Sequence, residues 1–330
     1  MHRGLFVLNK KSFGSIYGPA EREAIHQLLH IPPLPYSREE IALCPELLMD
    51  IEVLVSGWGA PKLDAAFLEA APRLQAVFYG AGSIKAIVTD CFWDKAIPIT
   101  SAYAANAVPV AEFTFSQIIL CLKRVWYYAQ AVRKEHTFPE RQHTPGAFQT
   151  NIGLISLGMI GRRVAEFLKL LDVNVLAYDP YLTDQIAAEL GVRPCSLDEI
   201  FHCSDVVSLH TPWLPETENL IRGHHFLSMK PNASFINTAR GAVVCEPELI
   251  DALTVRQDIQ AVLDVTHPEP PAPESPLYRL PNVMLTPHIA GSVQDECRRM
   301  GQYMVEELRR YLSGEPLEWA IDRECAALLA

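Results

Sequence analysis

The sequence contains few basic residues for its length. Its 330 residues include 28 lysines and arginines against 39 aspartates and glutamates, which gives a formal net charge of −11 at pH 7. Nucleic acids and anionic membrane surfaces are bound largely through clustered positive charge, because their phosphate groups are negative. The charge balance therefore excludes a protein that coats nucleic acid or adheres to anionic membranes, and we expect neither a nucleic-acid nor a membrane partner.

Long apolar stretches are also lacking. The longest apolar runs fall far short of the ~20 residues that cross a bilayer, and the first residues, Met1 to Asn9, turn polar too quickly for a signal peptide. The eight cysteines contain no C-x-x-C pair and no zinc-ribbon spacing. We therefore expect a cytoplasmic protein with reduced thiols and no metal site. The adjacent His224 and His225 are interpreted as structural or exposed residues, because no set of metal ligands accompanies them.

Apolar residues are nevertheless plentiful. Hydrophobic residues make up 49% of the chain and charged residues 20%, a balance typical of globular proteins with a substantial core. At about 100–200 residues per domain, the length predicts two domains or one large one.

Short β-rich runs alternate with helical stretches in the first hundred residues. The predicted strands are Leu5–Asn9, Ile51–Ser56, Leu74–Tyr79 and Ile97–Ala102, and the predicted helices are Ala20–His30, Pro61–Ala71 and Ser83–Asp90. Short apolar strands separated by helices indicate a parallel sheet that is buried on both faces. The sequence thus predicts one small α/β unit.

A second, longer alternation follows a predicted helix from Glu112 to about Lys134 and a polar loop from His136 to Thr150. Its predicted strands are Ile152–Ser156, Val173–Tyr178, Val206–His210, Ala233–Asn237, Gln260–Asp264 and Val283–Thr286. A helix over Arg162–Leu171 is predicted between the first two strands. This succession of strands and helices matches a doubly wound dinucleotide-binding sheet.

The last long helix is expected to return to the first unit. Ser292 can cap a helix that continues to about Ser313, with Gly314 as its C′ residue. The apolar residues that recur at helical spacing are Val293, Cys297, Met300, Met304 and Leu308. Such a stripe must be buried, and the first unit is the surface that lacks a closing element.

The turn after the first strand of the second alternation has the form of a phosphate-binding loop. Gly158 and Gly161 stand where the G-x-G-x-x-G pattern needs close approach of a pyrophosphate and close helix packing, while Ser156 replaces the first glycine. Asp179 ends the next strand, roughly 20 residues later, where an acid accepts hydrogen bonds from the adenosine ribose. A tight turn without a ligand is the alternative, but the register of strand, loop, helix and acid favours a nucleotide site.

Three further segments place charged residues at the carboxyl ends of predicted strands, where open α/β sheets bind ligands. They are Asn237–Gly241, Asp264–Pro270 and Thr286–Gly291. Taken alone, Arg240 could be a surface ion pair, Glu269 a solvated acid and His288 a histidine satisfied within the fold. Together with the nucleotide loop, the three side chains indicate one reaction site.

With these segments the sequence resembles the D-specific 2-hydroxyacid dehydrogenases, the family that includes phosphoglycerate, glycerate and D-lactate dehydrogenases. The order and spacing of Arg240, Glu269 and His288 match the family. The other matching segments are Leu209–Pro212, Pro215–Thr217 and Pro109–Glu112. The resemblance covers nearly the whole chain and implies an α/β fold of two doubly wound domains, with a Rossmann nucleotide-binding domain inserted into a smaller flavodoxin-like substrate domain. We expect residues 1–103 and 291–330 to form the substrate-binding domain and residues 104–290 the NAD-binding domain.

Both the residue types and the resemblance imply reduction of a 2-keto acid, or the reverse oxidation. Arg240 offers a planar fork for the substrate carboxylate and carbonyl. His288 can donate the proton to the carbonyl oxygen and take it back in the reverse direction. Glu269 would orient the imidazole and stabilise its protonated form.

The cofactor is expected to be NAD. The residues implied in binding it are Leu157, Gly158, Met159, Ile160, Gly161, Asp179, His210, Thr211, Pro212, Thr238, Ala239, Arg240, Asp264, His288 and Gly291. Among them, Asp264 is similar to the family residue that holds the nicotinamide carboxamide. Asp179 predicts a preference for NAD over NADP, because its carboxylate would face the 2′-phosphate of NADP.

The loop from Tyr79 to Lys85 resembles the family loop whose backbone N–H groups hold the substrate carboxylate. The residues implied in substrate binding are Trp58, Tyr79, Ala81, Gly82 and Arg240. Many relatives have an acid at the position of Lys85 and glycine at that of Ser83. The substrate, a small 2-hydroxy or 2-keto acid, is therefore left open.

The same residues raise two alternative functions, which are weighed here, and an expectation about the oligomeric state. The corepressors known as C-terminal-binding proteins share the fold and keep similar Arg, Glu and His residues, so a non-enzymatic NAD(H) sensor is an alternative. Formate dehydrogenases have glutamine at the position of Glu269, which argues against them. A homodimer through the nucleotide domain is expected, because Trp126, Tyr127 and Tyr128 extend apolar surface around more than one face of the predicted long helix.

Overall fold

A computed structural model describes residues 1–141 and 144–328 and divides the chain into two compact units. The first unit comprises Met1–Ala107 and Ser292–Ala330, and the second comprises Val108–Gly291. Residues 142–143 of the predicted polar loop, and residues 329–330 at the end of the predicted substrate-binding domain, lie outside the described residues.

The first unit is built on a parallel sheet. Its strands are β1 (Gly4–Val7), β2 (Val53–Ser56), β3 (Ala76–Tyr79) and β4 (Ile99–Ser101), and the helices between them are α1 (Lys10–Ile16), α2 (Pro19–Leu28), α3 (Arg38–Leu43), α4 (Ala65–Ala70) and α5 (Asp90–Trp93). The strands lie side by side in chain order. Single bridges from Arg3 to His30 and from Val7 to Tyr36 add the segment between α2 and α3 beside β1. The resulting order, 2-1-3-4-5, is that of flavodoxin-like folds.

Alternation of side chains along these strands produces two cores, one on each face of the first sheet. Leu5 and Val7 belong to a cluster with residues of α3, α4 and α5, whereas Phe6 and Leu8 belong to a cluster with residues of α1 and α2. Because successive side chains of a strand point to opposite faces, a strand that is apolar throughout must be covered on both sides. The predicted doubly wound unit is confirmed.

The helices of the first unit were harder to predict than its strands. The predicted helix over Ser83–Asp90 is wrong: that stretch forms turns, and α5 begins only at Asp90, with the Thr89 hydroxyl as its N-cap. Thr89 has extended backbone angles, which end any preceding helix. Helix α1 was not expected because it spans only seven residues and contains Gly14.

The predicted single helix from Glu112 to about Lys134 ends close to the observed position, but it is wrong at its start and in being continuous. Helix α6 (Tyr103–Leu122) begins before Pro109 and contains it, and α7 (Val125–Glu135) is separate. The break lies at Arg124, which adopts left-handed backbone angles with φ 50°. Tertiary packing thus overrides the preference of proline for the first turn of a helix.

Helix α6 is apolar enough on average to cross a membrane by length and composition, although its sequence contains no long continuous apolar run. Its mean hydropathy reaches 1.4 over 18 residues, and 56% of that window is buried inside the structure. The core helix of a folded domain has the same length, hydropathy and burial, so this helix alone is weak evidence for a membrane span.

The second unit contains a larger parallel sheet. Its strands are β5 (Phe148–Ile155), β6 (Asp172–Tyr178), β7 (Arg193–Pro194), β8 (Val206–Leu209), β9 (Ser234–Asn237), β10 (Gln260–Leu263) and β11 (Val283–Leu285), and its further helices are α8 (Met159–Leu168), α9 (Asp184–Leu190), α10 (Leu197–Cys203), α11 (Gly223–Ser228) and α12 (Glu246–Val255). The spatial order is β11-β10-β9-β8-β5-β6-β7, with every pair parallel. This is the Rossmann order 3-2-1-4-5-6 with one strand added.

Two cores again cover the two faces of the second sheet. One contains residues of α10, α11 and α12, and the other contains residues of α6, α8 and α9. All six predicted strands are present. Strand β7 was missed because it has only two residues, an arginine and a proline, and carries no apolar run.

The chain ends with α13 (Cys297–Ser313) and α14 (Arg323–Leu328). Helix α13 packs on the first sheet through Met300, Met304 and Leu308, as predicted, and Gly314 ends it in the left-handed conformation with φ 75°. The predicted cap at Ser292 is wrong. A short 3₁₀ turn precedes α13, and the Ser292 hydroxyl is buried without a hydrogen-bond partner among the described residues.

Candidate active site

The charged residues singled out in the sequence follow three adjacent strands of the second sheet. Arg240 comes after β9, Asp264 immediately after β10, and His288 after β11. Since β9, β10 and β11 are neighbours and run parallel, their carboxyl ends lie on one edge. Open α/β sheets bind their ligands at this edge.

His288 and Glu269 form a direct pair. The distance between His288 Nδ1 and Glu269 Oε1 is 2.6 Å, and the two side chains are 48% and 42% exposed. Each partner can therefore reach a ligand from solvent. With Nδ1 bonded to the carboxylate, Nε2 on the far side of the ring is the nitrogen that can exchange a proton with a ligand.

Asp264 holds the loop that carries His288. Its buried carboxylate accepts hydrogen bonds from the Thr286 hydroxyl at 2.5 Å and from the backbone N–H groups of Ile289 at 2.9 Å and Ala290 at 2.8 Å. The N–H of His288 donates to the backbone carbonyl of Asp264 at 3.0 Å. His288 has φ 53°, a left-handed conformation that persists only where the surroundings impose it. The loop anchors therefore determine where the imidazole lies.

Asn237 holds the loop that carries Arg240. Its side chain accepts a hydrogen bond from the N–H of Ala239 at 3.0 Å and donates one to the carbonyl of Arg240 at 3.1 Å. Thr238, the residue between them, shares a hydroxyl hydrogen bond with Thr114 of α6 at 2.9 Å. Burial lowers the pKa of Arg240, and the nearby Glu269 carboxylate opposes that shift. An arginine remains charged under either influence.

Gly241 brings two of the three segments into contact. A Cβ at this position would lie 2.0 Å from the carbonyl carbon of Thr266 and 2.6 Å from the nitrogen of His267. Both neighbours are backbone atoms that cannot move independently. Only glycine therefore allows the segment after Arg240 to pack against the segment that leads to Glu269.

The predicted nucleotide loop has the shape of an anion site. Gly158 is the N-cap of α8 and provides no side-chain cap, and no atom lies within 4 Å of where its Cβ would be. The first N–H groups of α8 (Met159, Ile160) therefore lack a side-chain partner, and a phosphate could approach them closely. At Gly161 a Cβ would lie 2.2 Å from the Ser156 carbonyl oxygen, so this glycine is required for the turn itself.

Ser156, which replaces the first glycine, keeps the conformation of a glycine. Its φ is 72°, a left-handed angle that is costly for a residue with a side chain. Its hydroxyl lies 2.8 Å from that of Thr211, which follows β8. This hydrogen bond between two loops offsets part of the conformational cost.

Asp179 is bound to the same loop. Its two carboxylate oxygens accept the N–H groups of Leu157 and Tyr181, each at 2.7 Å. A carboxylate has about four acceptor positions, so both oxygens keep capacity for ribose hydroxyls. The glycines, the uncapped helix and this acid together fit a bound dinucleotide.

His210 lies beneath the loop and is neutral. Burial lowers its pKa to about 4, its Nε2 lies 3.1 Å from the Ser208 hydroxyl, and its Nδ1 is buried without a partner among the described residues. Thr211 and Pro212 continue from it along the same edge. The uncharged ring therefore keeps one nitrogen, Nδ1, for a further hydrogen bond.

The pKa of His210 predicts a loss of stability in acid. The unfolded chain binds this proton near pH 6.5 and the folded chain only near pH 4, so the unfolded state binds more protons between these values and the free energy of unfolding falls as the pH falls. A shift of this size corresponds to roughly 3 kcal/mol. In urea unfolding at several pH values, the free energy of unfolding of His210→Gln should fall less steeply in acid than that of the wild type. The glutamine amide can replace Nε2 in its hydrogen bond without binding a proton. Identical slopes for variant and wild type would contradict the assignment.

Apart from Arg240, the residues expected to bind substrate lie in the first unit. Trp58 follows β2 and is 37% exposed, and Tyr79 ends β3 with its pKa raised to about 12 by burial. The carbonyls of Ala81 and Gly82 both accept the Ser101 hydroxyl, and the N–H of Ala81 donates to the Tyr79 carbonyl at 2.8 Å. The loop is therefore held rigidly within its own unit.

One expectation about metal ligands needs correction. Asp198 lies beside His224 and His225, with ligand atoms of all three within 4.8 Å of one another, a grouping hidden in the sequence by the separation of α10 and α11. However, His225 Nδ1 accepts the backbone N–H of Arg222 at 2.9 Å. The proton of the neutral ring must then be on Nε2, the nitrogen that faces Asp198, so His225 cannot ligate a metal there.

The sequence profile described as "D-isomer specific 2-hydroxyacid dehydrogenase, NAD binding domain" matches residues 115–290, more than half of the chain. D-3-phosphoglycerate dehydrogenase of Mycobacterium tuberculosis is 34% identical over 258 residues, which cover 78% of this chain and 48% of that protein. The Archaeoglobus fulgidus enzyme of the same name is 30% identical over 263 residues, 79% and 50% of the two chains. The chain thus spans about half the length of these relatives.

Two solved structures match nearly the whole chain. A D-lactate dehydrogenase from Aquifex aeolicus, complexed with NAD and lactic acid, has a TM-score of 0.70 at 27% identity and covers 95% of this chain and 96% of its own. A D-isomer specific 2-hydroxyacid dehydrogenase from Xanthobacter autotrophicus Py2, in complex with NADPH and MES, has a TM-score of 0.78 at 25% identity and covers 99% and 100%. The chain belongs to the D-isomer specific 2-hydroxyacid dehydrogenase family and contains its NAD-binding domain.

Proposed function

We propose that the protein is an NAD-dependent dehydrogenase that interconverts a small 2-keto acid and the corresponding D-2-hydroxy acid. The observation that carries this proposal is the His288–Glu269 pair at 2.6 Å, on the same sheet edge as Arg240 and within the NAD-binding domain. NADH would supply the hydride that adds to C2 of the keto acid. The proton for the carbonyl oxygen must come from an acid, and His288 is the acid that the site offers.

Each catalytic side chain has a distinct task in this proposal. Arg240 binds the substrate carboxylate through its guanidinium and polarises the carbonyl. His288 Nε2 donates its proton to the carbonyl oxygen as the C–H bond forms and recovers it in the oxidation. Glu269 stabilises the imidazolium that precedes reduction. The loop around Ala81 and Gly82, together with Trp58 and Tyr79, is assigned to the remainder of the substrate.

Turnover of a panel of 2-keto acids with NADH tests the proposal and identifies the substrate. We expect NADH oxidation with at least one small member such as glyoxylate or hydroxypyruvate. A protein that turns over no member, but whose self-association changes with NADH, would instead be a sensor of NAD(H). Relatives that are 3-phosphoglycerate dehydrogenases make the phosphorylated keto acid a necessary member of the panel.

We expect the enzyme to prefer NADH to NADPH by about tenfold or more in kcat/KM, or at least ~1.4 kcal/mol. The 2′-phosphate of NADPH would lie against the Asp179 carboxylate, and the following residues, Pro180 to Asp184, include no lysine or arginine to neutralise it. The Xanthobacter relative has been solved in complex with NADPH, so both cofactors belong in the measurement. Steady-state kinetics with both cofactors measures the preference.

Asp179→Asn isolates the charge, because an amide oxygen can still accept a loop N–H group. Asp179→Asn should reduce the preference for NADH over NADPH. Asp184→Asn, the control in the same segment, should leave this preference unchanged. Equal efficiencies of the wild type with the two cofactors would contradict the assignment of Asp179 to the ribose.

A homodimer through the NAD-binding domain remains our proposal for the assembly. None of the α7 side chains is fully buried, and Tyr127, Phe138 and Phe148 are 36%, 89% and 67% exposed. Exposed aromatic side chains on one unit favour a protein interface. Light scattering at micromolar concentration should give twice the chain mass of 36.9 kDa; a monomeric mass would contradict the dimer.

The proposed reaction with NAD(H), together with the eight unpaired cysteines, supports a cytoplasmic location.

A further inference from the structure

Glu269 lies on a segment whose own packing does not fix its position. The side chains of His288 and Glu269 are 48% and 42% exposed, and both neighbours of Glu269, Pro268 and Pro270, are exposed as well. An exposed ion pair contributes little free energy by itself, because water competes with each partner and both side chains lose freedom when they pair. The Asp264 carboxylate holds the loop of His288, so the close contact of the pair requires a separate support for Glu269.

The residues just before Glu269 are held closely. Thr266 is only 8% exposed, and its hydroxyl donates to the carbonyl of Pro268, the residue next to Glu269, at 2.8 Å. The backbone of Gly241 packs against Thr266 and His267 so tightly that a Cβ would not fit between them. The position of Glu269 is therefore set through Thr266 and His267.

Glu246 holds His267 by a hydrogen bond. Its Oε2 accepts the backbone N–H of His267 at 3.0 Å. Glu246 is the first residue of α12 and is half-buried. Burial raises the pKa of Glu246, whereas the hydrogen bond from His267 and the charge of that histidine lower it. Because withdrawal of a carboxylate from water is costly unless the group is hydrogen-bonded, this contact differs from that of a solvated surface acid.

Trp213 contacts the same histidine from another strand end. It lies shortly after β8, and its ring and the His267 imidazole meet at 5.3 Å between centroids with an angle of 65° between their planes. Such edge-to-face contacts are a favoured arrangement of aromatic rings. His267 is thus bounded by the segments after β8 and β9, through Trp213 and Glu246 respectively.

We propose that Glu246 is a positioning residue for the acid–base pair: through the N–H of His267 it fixes the segment that presents Glu269 to His288. The inference rests on the proposed function, in which Glu269 and His288 act together. Glu246 acts through Glu269 and is not itself a catalytic residue. Displacement of a reacting group by about 1 Å can lower a rate by ~10²-fold, so a support of this kind is expected to affect turnover.

Three variants of α12 separate the hydrogen bond from the charge. Glu246→Gln keeps an acceptor oxygen without the charge, and Glu246→Ala loses both. Asp251→Ala, the control, removes an exposed carboxylate from the same helix. An acid at a helix N-terminus can also act through its charge alone, and in that case Glu246→Gln would resemble Glu246→Ala. Positioning through the hydrogen bond predicts that Glu246→Gln resembles the wild type.

Steady-state kinetics of the full chain with NADH and the best 2-keto acid is the first measurement. We expect Glu246→Ala to lower kcat by ~10–100-fold. The KM of the keto acid and the Kd of NADH should stay within about twofold of the wild-type values, because Arg240 and the phosphate loop are unchanged. Glu246→Gln and Asp251→Ala should keep a kcat close to that of the wild type.

Amide hydrogen exchange of residues 264–269, followed by mass spectrometry, measures the support without any turnover. Exchange should be faster in Glu246→Ala than in the wild type, and unchanged in Glu246→Gln and Asp251→Ala. If the wild type reduces no 2-keto acid, the proposed function fails, and this measurement alone then decides whether Glu246 holds the segment.

Four results would overturn the inference. They are a wild-type kcat in Glu246→Ala, an equal loss of kcat in Glu246→Gln and Glu246→Ala, unchanged exchange in Glu246→Ala, and a rise of KM and Kd that accompanies the loss of kcat and so indicates general damage to the unit. Circular dichroism checks the fold of each variant. If Glu246→Ala does not fold, Glu246→Asp, whose carboxylate is one methylene group further from the His267 N–H, takes its place with the same expectations.

Discussion

Replacement of His288 by alanine is expected to lower kcat by ~10²–10⁴, the usual contribution of a positioned acid–base group. The carbonyl oxygen of the substrate gains a full negative charge as hydride arrives, and without His288 only water can supply the proton. Steady-state turnover with the best 2-keto acid measures the loss. Cofactor binding should change far less, because the phosphate loop and Asp179 lie in other segments of the unit.

His224→Ala is the matched control for this experiment. It removes an exposed histidine from α11 in the same unit and should leave kcat unaltered. Turnover of His288→Ala at the wild-type rate would remove His288 from the mechanism. A loss of turnover in both variants would indicate general damage to the fold.

Replacement of Arg240 by alanine should lower kcat/KM by a similar factor, ~10²–10⁴. Two charge-assisted hydrogen bonds to the substrate are lost, each contributing ~1.5–3 kcal/mol. Arg240→Lys keeps the charge without the fork, so we expect it to recover only part of the loss, with KM raised and kcat lowered together. Kinetics over a range of substrate concentrations separates the two constants.

Arg279→Lys, at an exposed position of the same unit, provides the control for Arg240→Lys. An unchanged kcat/KM in Arg240→Ala would contradict the role of Arg240 in substrate binding. Thermal unfolding of each variant shows whether the buried site has been disturbed.

The sequence locates the reacting groups because they follow short apolar strands. Parallel strands are buried on both faces and therefore read as unbroken apolar runs, and their carboxyl ends necessarily meet at one edge. Arg240, Glu269 and His288 each lie shortly after such a run. The same logic locates Gly158, Gly161 and Asp179, since the glycines mark the turn and the acid ends the next strand.

The supports of these groups could not be predicted in the same way. From the sequence, Asn237 is recognisable only as the last residue of a predicted strand. No local sequence pattern shows that its side-chain amide holds the loop around Arg240. Asp264 was expected to contact the cofactor, yet its carboxylate accepts three bonds from the His288 loop. Such contacts join residues that are far apart in the chain, so periodicity and spacing carry no record of them.

The boundaries of the helices around Arg124 could not be predicted either. The sequence around Arg124 has continuous helical character, but the chain breaks there so that the guanidinium is buried against Tyr127. A single residue in the left-handed conformation leaves no mark in the apolar pattern of the sequence.

Transfer of deuterium from NADH labelled at C4 of the nicotinamide to the product is the most direct test of the proposed reaction. The full chain is incubated with the labelled cofactor and the preferred 2-keto acid, and the product is analysed by mass spectrometry and chiral chromatography. We predict a D-2-hydroxy acid that carries one deuterium at C2 when the transferred hydrogen is the labelled one, and none when the other C4 hydrogen is labelled. A product of L configuration, a product without deuterium from either labelled cofactor, or no product from any 2-keto acid would contradict the proposed function.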